Sequence, residues 1–320
     1  MSFPWGARLH VVTGKGGTGK TTAAAALAIA LASGGKRTLL VEIEGRQGIA
    51  ELFATDPLPY RELRVCTAPG GGEVLGLAVD TEAAMLDYLD MFYRLGAAGR
   101  ALRRIGAIDF VTTIAPGLRD VLLTGKVKEA VTRTARDGRA AYDAVVLDAP
   151  PTGRIVGFLD ATREVAGLTR HGPVHKQSEG VAQLLRSSAT AVHLVTLLEE
   201  MPMQETLDAV GALRAGGYRP GAILLNRISP PLCPDPAVSD DADVAAQIAP
   251  ALGRAGLSAR LAGPLAAQLE AHHAMRRVHD ANAARALGLG LPVRRLPERP
   301  AGIDLAALHD LAAALGPILQ

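Results

Sequence analysis

The stretch TGKGGTGKTT, Thr13 to Thr22, constrains this chain more than any other. It follows the apolar run LHVVT and precedes TTAAAALAIALASGG, so a strand, a glycine-rich loop and a helix are expected in that order. Gly14, Gly19, Lys20 and Thr21 complete the phosphate-loop pattern G-x-x-x-x-G-K-T. Gly14, Gly16, Gly17 and Gly19 let the backbone turn tightly and aim N–H groups at phosphate oxygens, and the helix that follows adds its positive end. Thr18 and Thr22 belong to the same contact set. Lys20 is expected to reach the β- and γ-phosphates and the Thr21 hydroxyl to ligate Mg²⁺, so ATP or ADP with Mg²⁺ are the expected cofactors. The loop also carries a second lysine, Lys15, which an ordinary loop of this kind does not need.

Short β-branched runs recur along the chain: KRTLLVEIE, VLGLAVD, YDAVVLDAP, TAVHLVTL, GAILLNRI and LPVRRLP. Separated by helical patterns, they predict an α/β fold, a doubly wound, mostly parallel sheet covered on both faces. The helix after the loop is expected to close near Gly34 and Gly35. Two helical insertions, about 81–139 and about 229–289, interrupt the rhythm, the first with a loop break at Ala115 to Gly117. Strands resume after each, so residues 1–320 read as one P-loop domain. The loop occurs once, which implies one nucleotide site per chain.

Composition narrows the function classes. With 34 basic and 32 acidic side chains, the balance does not fit a protein built to neutralise nucleic-acid phosphates. Cys66 and Cys233 form no C-x-x-C, so neither a disulfide framework nor a thiolate zinc site is signalled and no zinc is expected. The start, MSFPWGARLH, does not read as a secretory signal, and no run reaches the length of a spanning helix. A cytoplasmic protein without direct membrane insertion is expected.

The form GKGGTGKTT resembles the deviant Walker A loop shared by the nitrogenase iron protein, the partition and septum-site ATPases and the anion-pump ATPases. That resemblance implies that Lys15 reaches across a dimer interface to the nucleotide of the other subunit, while Lys20 serves its own. AVVLD ends at Asp148, a carboxylate at the edge of the sheet where ligands bind, and this is the expected Mg²⁺ partner of Thr21. It continues as DAPPTGRIVGFLD, similar to the second switch of arsenite-pump and tail-anchored-protein targeting ATPases, with Asp148, Ala149, Pro151, Thr152 and Gly153 at matching places.

The first switch departs from that family's D-x-D or S-T-D-P. Here LLVEIEGRQGIAELF places Glu42 and Glu44 at the acidic positions, and the resemblance gives Glu44 the role of orienting the attacking water. Its extra methylene displaces the carboxylate by roughly a bond length, and a misplacement of about 1 Å can cost about 100-fold in rate. Either slow hydrolysis or a loop shifted to compensate is therefore expected. Asn226, just past a strand, and the loop around Pro297 to Gly302 stand where related ATPases contact adenine.

Among the branches, the resemblance is closest to the arsenite-pump type and the tail-anchored-protein targeting ATPases, with wording similar to actinobacterial members. Cys66 and Cys233 are misplaced for a shared iron–sulfur cluster. The tail GIDLAALHDLAAALGPILQ lacks the Lys and Arg of a lipid-binding helix, and its Ile303, Leu305, Leu308, Leu311 and Leu315 predict a core-packing helix. Arg100, Arg103 and Arg104 read as a solvated face. MLDYLDMFYRLG offers more apolar surface than one buried stripe, from Met85 to Leu95, and in targeting relatives helices here form a groove for a client helix. The expected activity is ATP hydrolysis by a homodimer, or a heterodimer with a related subunit, coupled to a hydrophobic client protein. The alternative is a weakly hydrolysing nucleotide-bound scaffold subunit.

Overall fold

The computed structural model describes residues 4–86, 116–168, 173–230 and 244–316. Eight strands form one sheet: β1 (Leu9–Gly14), β2 (Arg37–Glu42), β3 (Leu63–Ala68), β4 (Gly72–Ala78), β5 (Ala144–Asp148), β6 (Thr190–Thr196), β7 (Pro220–Ile228) and β8 (Val293–Pro297). Their order is β3-β4-β2-β5-β1-β6-β7-β8, parallel throughout except for the β3–β4 pair at one edge. The expected doubly wound α/β architecture is borne out. The sequence reading missed β3, whose segment LRVCTA is an edge strand with four of its six residues partly or fully exposed.

The helices are α1 (Lys20–Ala32), α2 (Gly48–Leu52), α3 (Pro116–Thr132), α4 (Thr152–Leu168), α5 (Pro173–Arg186), α6 (Glu200–Ala215), α7 (Val244–Arg254), α8 (Ala262–Gly288) and α9 (Leu305–Ala314). Alternation along the strands sends side chains into two cores. Val12, Leu40, Val146 and Leu224 join α1 and α9 on one face. Leu9, Val11, Leu39, Val145 and Leu147 join α3, α4, α5 and α6 on the other. Fully buried Phe158 of α4 contributes about 1.5–3 kcal/mol by leaving water.

Helix α1 is buried from Ala23 to Ala32 on every side. Its alanines keep it thin enough to lie between the sheet and α9, and Gly34 (φ 76°) and Gly35 (φ 83°) take the left-handed turn that ends it. Leu308, Leu311 and Leu315 pack into that core, as expected of the tail, whereas Leu305 is 45% exposed at the first position of α9.

The first insertion is helical over 81–86 and in α3. Pro116 opens α3 instead of breaking it, because the first helical position needs no N–H. After Thr132 the chain makes an antiparallel bridge, Thr134 to Ala140, so its last part is not helical. Met85 and Leu86, expected on an exposed apolar surface, pack into the second core. The rest of that stretch, Tyr88 to Leu95, lies outside the described residues, as do Arg100, Arg103, Arg104 and Cys233.

Candidate functional site: a nucleotide cradle at the carboxyl edge of the sheet

Parallel strands deliver their carboxyl ends to one edge, and the register decides which residues meet there. Val12 and Glu42 both pair with Asp148, and Gly14 pairs with Val195. The phosphate loop thus leaves β1 between the ends of β5 and β6, at the point where the winding reverses.

Local geometry holds the loop open. Thr18 Oγ1 donates to Lys15 O at 2.8 Å, closing the loop on itself, and Thr13 Oγ1 donates to Pro150 O at 2.7 Å, tying it to the second switch. Gly17 and Gly19 have φ of 84° and 88°, a region strained for other residues. A Cβ on Gly19 would run into the Asn226 amide nitrogen, and one on Gly14 into the Val195 carbonyl. No side chain caps the start of α1 and no acidic residue sits in its first turn, so its N–H groups remain available to an anion.

The carboxylates divide by environment. Thr21 Oγ1 donates to Asp148 Oδ2 at 2.7 Å, while Asp148 Oδ1 is buried with no hydrogen-bond partner among the described residues. Burial pushes the Asp148 carboxyl up to about 6; the Thr21 hydrogen bond and Lys20 oppose this, and the charges of Glu42 and Glu44 add to it. Glu42 is buried and accepts from the N–H of Gly48 (3.3 Å) and Ile49 (3.1 Å), so it caps α2. Glu44 lies 3.6 Å from the Arg46 guanidinium and lines a polar cavity of about 120 Å³ with Arg119, Asp120, Pro150 and Arg154. The two glutamates that look alike in the sequence therefore differ: one builds the first switch and the other faces an open space.

A second cavity, about 340 Å³, is lined by Gly19, Thr22, Asn226, Arg227, Pro297, Glu298, Arg299, Pro300, Ile303 and Leu311. It brings together the loop, Asn226 and the segment around Pro297. Asn226 Nδ2 donates to Thr18 O at 2.8 Å, so this side chain also fastens the phosphate loop. The β7–β8 register slips between Leu225 and Ile228, and Arg227 there has φ 54°, a conformation costing about 1–2 kcal/mol in a non-glycine residue. This bulge, not foreseen from sequence, re-aims Asn226 at the loop.

Sequence reasoning also missed Glu205, on α6. It forms an ion pair with Lys15 and accepts from Thr152 Oγ1 at 3.1 Å. Only the tertiary fold brings it to the loop.

A phosphate loop, two switch segments and a base-sized cavity on one sheet edge define a P-loop nucleotide-binding protein. The family description "anion-transporting ATPase" matches residues 7–172, just over half the chain, and the chain belongs to that family and is an ATPase. It is 54% identical over 317 residues to ATPase BagA of Mycobacterium tuberculosis, covering 97% of this chain and 93% of that protein. A putative arsenical pump-driving ATPase 2 of Aquifex aeolicus is 24% identical over 254 residues, 70% of this chain and 81% of that one. ATPase GET3 of Kluyveromyces lactis is 30% identical over 154 residues, 46% of this chain and 43% of that one. No helix among the described residues is long and apolar enough to cross a membrane.

Proposed function

We propose that the chain is a dimeric switch: ATP draws two subunits together, hydrolysis releases them, and the change is passed to a client or partner protein. The observation that carries this reading is the position of Lys15. It is engaged by Glu205 on α6, at a partly exposed site, and not by Glu42, Glu44 or Asp148 of its own nucleotide site. A lysine placed there is suited to a nucleotide held by another subunit.

The donor set fits Mg²⁺. Asp148 Oδ1 is a buried oxygen without a partner, beside the Thr21 hydroxyl, in a site crowded with negative charge. Thr21 and Asp148 would hold the ion, which when bound neutralises phosphate charge. The loop N–H groups and Lys20 grip the phosphates, the start of α1 adds its dipole, and Pro297 and Asn226 enclose the base. Glu44 orients the attacking water and takes up its proton, at a carboxylate one methylene longer than the family pattern.

Steady-state ATP hydrolysis, with mass by light scattering in ADP and in ATP, tests the reading. Lys15→Ala is expected to lower turnover on the order of 100-fold or more while nucleotide affinity changes little; equal loss of both would sink the cross-interface role. The pairing of Glu44 with Arg46 supports a second reading, a weakly hydrolysing scaffold subunit. A wild-type chain that binds nucleotide but neither turns over nor assembles would favour it.

A further inference from the structure

One carboxylate joins three segments that are far apart in sequence. Glu205 Oε1 pairs with the Lys15 ammonium of the phosphate loop, and Glu205 Oε2 accepts from Thr152, the second-switch residue at which α4 begins. The buried stripe of α6 is Pro202, Met203, Thr206, Ala209, Val210 and Leu213, so Glu205 lies outside it and packing alone does not require it. Lys15 and Glu205 are 32% and 36% exposed, which leaves the pair weak enough to open. The Lys15 hydrogen bond, helped by Thr152, holds the Glu205 carboxyl below its ordinary range, so it is ionised at neutral pH.

We propose that Glu205 is a positioning residue that holds Lys15 within its own chain and ties its release to the second switch through Thr152. This rests on the reading above, that Lys15 serves a neighbouring nucleotide. A lysine held by Glu205 cannot reach another subunit at the same time, so the ion pair competes with assembly. Movement of the second switch withdraws the Thr152 hydroxyl from Glu205 and loosens its grip on Lys15. The free chain is thereby kept from closing until its own nucleotide site has responded.

Glu205→Gln tests this, because it keeps an oxygen for Thr152 and removes the charge that holds Lys15. Without nucleotide, acetylation of Lys15 followed by peptide mass spectrometry is expected to run about twofold to fivefold faster in the variant. In an ATP titration followed by light scattering, the midpoint for assembly is expected to fall by a similar factor. The substitution should have no such effect in a Lys15→Ala background, while Glu205→Asp, which keeps the charge, should stay near wild type. Unchanged Lys15 reactivity, or an assembly midpoint that stays or rises, overturns the proposal. A wild-type chain that remains monomeric at saturating ATP overturns the dimer reading, and the proposal falls with it. A wild-type chain that assembles while Glu205→Gln leaves the midpoint in place overturns the role of Glu205 alone.

Discussion

His10 on β1 and His193 on β6 are fully buried, and their hydrogen bonds set their tautomers. Ala222 N–H donates to His193 Nδ1 at 3.2 Å, so the His193 proton sits on Nε2. That proton is donated to His10 Nδ1 at 3.0 Å, and His10 Nε2–H donates to Ala7 O at 3.0 Å. Burial pushes His10 down to about 4, against the backbone bond to Ala7, and pushes His193 well below the usual imidazole range, with His10 adding to the effect. In the unfolded chain both take up protons near pH 6.5. The unfolded state therefore binds more protons below that value, and stability that is complete above pH 6.5 is lost as pH falls towards 4. Urea-unfolding midpoints are expected to drop between pH 7 and pH 5. His10→Leu removes the imidazole acceptor that faces the buried His193 N–H and should cost about 1–3 kcal/mol at pH 7, yet flatten the acid loss; a pH dependence parallel to wild type would refute the assignment. The sequence carries no sign of this pair, because 183 residues separate its members and only the β1–β6 register joins them.

At the scale of elements, the first switch depends on Glu42. Its carboxylate spans from the end of β2 to the first two N–H groups of α2, which fixes the loop that carries Glu44. Glu42→Ala is expected to lose about 1–2 kcal/mol of stability and, by freeing that loop, to slow hydrolysis. Glu42→Gln, which still accepts hydrogen bonds, should retain most of both; calorimetry with a turnover assay separates the cases, and equal damage from the two would show that charge and not capping matters. Helix α1 gives the opposite kind of test. Ala26 is fully buried in a helix enclosed on all sides, so Ala26→Leu should destabilise by about 1–3 kcal/mol through overpacking. Seven of the eight strands were legible because their apolar runs are long or alternate clearly. β3 was not, since an edge strand with mixed exposure has no distinctive pattern. The start of α3 was misread because Pro116 and Gly117 suggest a break to any local rule, while the first turn of a helix tolerates both.

At the scale of the molecule, the site is a property of the sheet edge. Asn226 fastens Thr18 across 208 residues, and Asp148 stands beside Glu42 because β2 and β5 are neighbours. That the loop glycines, Lys20 and Thr21 stand together was legible because their motif is contiguous, and that Asp148 lies at the same edge because a strand ends on it. The contacts of Glu205 and the strained Arg227 arise only when elements distant in sequence are set side by side. The split between Glu42 and Glu44 arises instead in the local turn onto α2, which takes one carboxylate as its cap and leaves the other beside Arg46. That split leads to a final expectation about closure and chemistry. Glu44 is half-buried, contacts the Arg46 guanidinium and makes no backbone cap, so it can change without disturbing the first switch. Glu44→Gln preserves shape and removes the carboxylate proposed to take up the proton, so nucleotide binding and ATP-dependent assembly should persist while turnover falls roughly 100- to 10,000-fold. With hydrolysis slowed, the ATP-assembled form should outlive that of wild type after dilution, as read by light scattering against time. Arg46→Ala, which releases Glu44 from its ion pair, should leave turnover equal to wild type or faster. Undiminished turnover in Glu44→Gln would remove Glu44 from the mechanism, and the water would then have to be oriented by another group at the edge of the sheet.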